Sequence, residues 1–84
     1  MRKLTEQDIA ATIGIVNIGY TIEKARVKGG VYTDSDHYGI ALGRDGRGLY
    51  ATWQFHLEDE KLTFYWGHYI ENPEAALADY EERE

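Results

Sequence analysis

Residues 48–70, GLYATWQFHLEDEKLTFYWGHYI, hold both tryptophans, both phenylalanines and three of the seven tyrosines of an 84-residue chain. The stretch divides at Glu58-Asp59-Glu60 into two runs in which apolar and polar side chains alternate. A period of two belongs to strands, and two such runs joined by a short polar turn predict an antiparallel hairpin. Alternation also sorts the side chains into faces. Ala51, Trp53, Phe55 and Leu57, with Leu62, Phe64 and Trp66 on the returning run, are predicted to form the core face. Tyr50, Thr52, Gln54 and His56, opposed by Thr63, Tyr65, Gly67 and Tyr69, form the other.

The flanking segments supply the partners such a hairpin needs. YGIALGR reads as a neighbouring strand closed by Asp45-Gly46, with Tyr38, Ile40 and Leu42 turned to the core and Gly39, Ala41 and Gly43 turned away beneath tyrosines. YTIEKARVK reads as an edge strand blunted by its charges, and GGVYTDSDH as a polar loop. Thr5 and Asp8 match a capping box, with Asp in the usual Glu position. Ile9, Ile13 and Val16 then recur at helical spacing and Gly19 fits a helix stop, which predicts a helix over about 5–18. A second stripe, Ala11, Ile15 and Ile18, lies on the far side of that helix, where one small core does not reach it, and is the candidate self-association surface. The β-branched run GIVNIGYTI offers a competing strand reading, which stays open beside the helix over 13–22. Asn72-Pro73 is a helix start, with Pro73, Ala76, Leu77 and Tyr80 as its buried stripe. The acids of EERE oppose the dipole at its end, which predicts a frayed last turn. The sum is one α+β domain over 1–84: an N-terminal helix, a three- or four-stranded antiparallel meander and a C-terminal helix, both helices on one face.

Composition removes several kinds of chemistry. With no cysteine, disulfides and thiolate sites are excluded and the cytoplasm is the expected compartment. No run approaches the ~18 apolar residues of a membrane span, and the N-terminus lacks the apolar core of a signal peptide. Residues 1–30 carry five basic against three acidic side chains, whereas 31–84 carry four against twelve, a local net of −8 within the total of −6. Such a body repels phosphate backbones, so direct nucleic-acid binding is not expected, and a basic partner suits it better.

No cofactor or metal is expected from the remaining motifs. DSDHYG at 34–39 opens like a calcium loop, and Asp45 falls at its twelfth position, but Tyr38 stands where the fifth needs an oxygen ligand. His37, His56 and His68 lack ligand spacing. Ser35, the only serine, has no nucleophile motif around it, and Glu58, Asp59 and Glu60 are solvated turn carboxylates with no catalytic setting. GRDGRG lacks the lysine and following helix of a phosphate loop. No catalytic constellation emerges, and an enzyme is not expected. Tyr50, Thr52, Gln54, His56, Tyr65 and Tyr69 form the candidate binding face, because tyrosine offers contact area and a hydroxyl at low entropic cost.

The strings IGYTIEKA, YGIALGR, YATWQF and FYWGHYI with AALADYEER resemble short uncharacterised proteins of bacterial phages and conjugative elements. That resemblance implies a small accessory protein of a mobile element and brings no site residues with it. The expected role is a protein–protein interaction module that binds a protein partner or a second copy of itself. An acidic inhibitor that imitates nucleic acid is the alternative.

Overall fold

Thr5 opens the first helix as its spacing predicts. In the computed structural model, which describes residues 2–29 and 35–83, helix α1 spans Glu6–Thr12. The Thr5 hydroxyl accepts from the Asp8 N–H at 3.2 Å, while Asp8 accepts from the Thr5 N–H at 2.7 Å. The helix stops well short of the expected Gly19. Gly14 takes a left-handed φ of 89°, and its N–H turns out of the helix to donate to the Ile22 carbonyl. The β-branched run that follows is a strand, β1 (Val16–Asn17), paired with β2 (Tyr20–Val27) across an Ile18-Gly19 turn in which both residues have positive φ. That is the mirror-image turn whose twist matches a hairpin. The helix predicted over 5–18 is therefore a short helix and the first arm of a hairpin.

Strands β3 (Gly39–Arg44), β4 (Tyr50–Glu58) and β5 (Lys61–Ile70) complete a five-stranded antiparallel meander in chain order, one strand larger than the sequence suggested because β1 was hidden in the helical reading. Asp45 shapes the β3–β4 turn, its carboxylate accepting from the Arg47 and Leu49 N–H groups at 2.9 and 2.8 Å. Helix α2 (Pro73–Glu82) closes the chain, with the Asn72 side chain accepting from the Ala75 N–H at 3.0 Å.

The two helices lie on opposite faces of the sheet, not on one. Trp53 and Phe55 share a face with Leu4, Ile22, Ala41, Ala51 and Leu57, and Ile9 of α1 packs there. Ile40 and Leu42 point the other way, onto Ala76 and Tyr80 of α2. The register explains why β3 is turned over relative to its predicted orientation. Gly39 opposes Phe55, and Ala41 opposes Trp53. The small residues of β3 thus lie beneath the large rings of β4, and a Cβ on Gly39 would sit 2.3 Å from the Phe55 ring. The bulky residues of β3 are left to build a second core. Within α2, Ala76 and Tyr80 are buried as expected, whereas Leu77 and Pro73 are exposed.

The end of α2 carries a brace with no local sequence signal. Arg26 of β2 donates to the carbonyls of Tyr80 (2.9 Å) and Arg83 (2.6 Å) and lies over the Tyr80 ring. It supplies the cation that the acidic last turn lacks, and the helix continues to Glu82. Among the described residues no helix is long and apolar enough to cross a membrane.

Candidate interaction surface

Two irregularities decide which side chains reach the surface. The first is at Glu23, where β2 slips by one residue against β3. The second is in β5, where Thr52 pairs with His68 but Gln54 pairs with Tyr65, so that Trp66 and Gly67 together oppose Trp53. This is a β-bulge, and it exchanges the faces of everything beyond it. Trp66 sits in it with φ of 56°, a conformation that a bulky side chain adopts only under strain.

The bulge rearranges the predicted binding face. Tyr50, Thr52, Gln54, His56 and Tyr65 remain on one face, but Tyr69 is moved to the other, where its ring meets Tyr20 and Trp53 at centroid distances of 5.9 and 6.2 Å. Tyr69 and the Trp53 indole lie across Gly67, whose missing Cβ would stand 2.7 Å from the indole nitrogen. The predicted face is also no free surface along its whole length. Helix α2 covers Tyr50 and Thr52, and Thr52 is fully buried. Gln54 is buried too and donates to the Tyr65 hydroxyl at 3.0 Å. Burial pushes the Tyr65 phenol above its ordinary pKa, with the Gln54 hydrogen bond a smaller opposing influence. Tyr38, just before β3, His56 of β4, and Tyr65 and Trp66 of β5 form an edge-to-face row, with centroid spacings of 6.1, 5.2 and 5.0 Å.

Trp66 was assigned to the core by simple alternation and instead is 68% exposed. Tyr69, at 57%, is the second exposed ring of β5. Gly67 was the available signal, because an isolated glycine within a strand marks a bulge or a close approach. Trp53, by contrast, is buried as expected.

Around Thr52 a polar network ties α2 to the sheet. The Thr52 hydroxyl donates to Asp79 at 2.5 Å and accepts from Arg83 at 3.0 Å, while His68 Nδ1 lies 3.0 Å from the same Asp79 carboxylate. Partial burial pushes the Asp79 carboxyl up, but the Thr52 hydroxyl, the His68 ring and the Arg83 charge outweigh it and hold it below the usual carboxylate range. Arg83 also donates to the Trp66 carbonyl, which anchors the bulge to the end of α2. His68 and Asp79 have the look of an acid–base pair, yet the Thr52 hydroxyl beside them is buried and already bonded to Asp79 and Arg83, so it is not free to act as their nucleophile.

The predicted self-association stripe is dispersed. Ala11 ends on exposed helix, Ile15 follows it, and Ile18 is 69% exposed in the β1–β2 turn. Ala11 and Ile15 do line a shallow groove of about 190 Å³ with Leu57 and Leu62, between Asp8 and Glu60. Both acids there are claimed by Arg2, at 2.6 and 2.7 Å.

Of the calcium-like loop, Asp34 lies outside the described residues, and Asp45 is occupied by its own turn. Among the described residues no group of three or more His, Asp or Glu side chains is placed to hold a metal ion. Compared with protein-family models, curated proteins and solved structures, the chain finds no match.

Proposed function

We propose that this chain is a small non-enzymatic, cytoplasmic interaction module, and that its contact surface is the outer strand β5, centred on Trp66 and Tyr69. One observation carries the reading. Trp66 is 68% exposed and gains little from burial, while it holds a backbone conformation that costs about 1–3 kcal/mol and that glycine would adopt without strain. Exposed tryptophan and tyrosine are the side chains that most often anchor protein contacts. The resemblance to short phage and conjugative-element proteins supports an accessory role of this kind.

The acidic-inhibitor alternative draws on the −8 of residues 31–84. It is weakened because two carboxylates of that stretch are engaged, Glu60 by Arg2 and Asp79 by His68, which leaves fewer to imitate phosphates.

The test is to recover a partner from lysate with the wild-type chain, purify it, and titrate it against wild type and Trp66→Gly. Glycine suits the positive φ, so the variant keeps the bulge. Loss of affinity by about tenfold or more supports the reading. Equal affinity, or no partner that survives purification, contradicts it.

A further inference from the structure

The two edges of the sheet are treated differently. The β2 edge is shortened by β1 and carries Glu23, Lys24 and Arg26 within four positions. On the other side β5 runs for ten residues with no strand beyond it among the described residues, and Lys61, at its first position, is its one Lys, Arg, Asp or Glu. Charge, short length and bulges are the usual protections of an exposed edge; β5 has no charge beyond Lys61 and is long, and its single bulge at Trp66-Gly67 interrupts the edge at one place only. It has exposed rings instead. Its ends are acidic: Glu58 and Asp59 precede it at the hairpin tip, and Glu71 and Glu74 follow it, all exposed.

Resting on the interaction reading above, we infer that β5 accepts an added strand, and that the occupant is an extended segment of another protein with basic residues at both ends and uncharged residues between. An open ladder edge bonds only to another extended backbone, which fixes the conformation of the occupant. Ten residues of β5 span roughly 33 Å, which fixes its length. The flanking carboxylates fix its charge. A second copy does not fit. Twofold antiparallel pairing of two β5 strands would set the Glu58-Asp59 tip of one chain beside Glu71 and Glu74 of the other, acid against acid, between bodies of net charge −6. The Trp66 carbonyl is already taken by Arg83, so the added ladder is interrupted there and forms two blocks, one before the bulge and one after it.

The experiment is amide hydrogen exchange and a binding titration of the intact chain with a synthetic valine–threonine peptide of about ten residues, ending in lysine and arginine on both sides. A peptide of the same length ending in glutamates serves as comparison. Slowed exchange in two blocks of β5, binding that weakens as salt rises, and tenfold or greater weakening by Trp66→Gly are expected. The exposed pair Glu71→Lys with Glu74→Lys, beyond the end of β5 and outside the bulge, is expected to weaken binding several-fold. Equal binding of the glutamate-ended peptide, protection at the Ala11–Ile15 groove in place of β5, a chain mass that doubles with concentration, or no binding up to millimolar peptide would each overturn the inference. If the purified partner still depends on Trp66 while the peptide fails, strand addition alone is wrong; if both fail, the interaction reading falls with it.

Discussion

Replacing Thr52 by valine tests whether the sheet holds α2 through one buried hydroxyl. Thr52 is fully buried and valine keeps its shape, so the surrounding packing is disturbed little, but the bonds to Asp79 and Arg83 are lost together. A hydrogen bond to a charged group contributes about 1.5–3 kcal/mol when its loss leaves that group buried and unpaired. Neither group is left so here. Asp79 retains His68 and is 28% exposed, and Arg83 retains the Trp66 carbonyl. Discounting for that, the two losses together should destabilise the chain by about 1–3 kcal/mol. For a domain of this size each kcal/mol lowers Tm by about 4–8 °C. Urea and thermal unfolding read the effect directly. Thr52→Ser, which keeps the hydroxyl and loses one methyl, should cost only about 1 kcal/mol. A double-mutant cycle with Asp79→Ala should return a coupling of about 1 kcal/mol. A Thr52→Val chain as stable as wild type, with no coupling to Asp79, would refute the claim that this network docks the helix.

Two further perturbations bear on the bulge and the N-terminal clamp. Gly67→Ala places a Cβ 2.7 Å from the Trp53 indole and 2.9 Å from the Tyr69 hydroxyl, and should destabilise by about 1–3 kcal/mol in urea unfolding; a neutral result would mean the rings are not packed on that glycine. Asp8 is held well below the usual carboxylate range, first by the Arg2 guanidinium and then by the Thr5 N–H. Its folded value lies beneath its unfolded one, so the stability it contributes is complete above about pH 4 and is lost as pH falls towards the folded value. Solvent screens so exposed a pair, so Asp8→Asn should remove only about 0.5–1 kcal/mol at pH 7 and flatten part of the acid limb of a stability–pH profile; an unchanged profile would count against the clamp.

What could be read from the sequence was local. Thr5 with Asp8 and Asn72 with Pro73 cap their helices through neighbours within three positions, and the alternation through Ala51, Trp53, Phe55 and Leu57 survives because β4 is regular. What was lost depended on contacts distant in sequence or on a break in period. Residues 13–18 satisfy helical and strand spacing alike, and pairing with β2 decides between them. Parity carried through Trp66 fails because the bulge inserts a residue, which exposes Trp66 and moves Tyr69 to the opposite face. The turning over of β3 follows from ring size on β4, where Gly39 alone leaves room for Phe55. Arg26 and Arg83 reach carbonyls more than fifty and about seventeen positions away, so no window of sequence contains those braces.

The exposure of Trp66 at the open edge carries the functional account, and acrylamide quenching of tryptophan fluorescence measures it most directly. Two emitting populations are expected, one quenched freely and one protected, and Trp66→Phe should remove the first and leave only the protected emission of Trp53. Two equally protected indoles in the wild-type chain, with no change in accessibility in the variant, would contradict it.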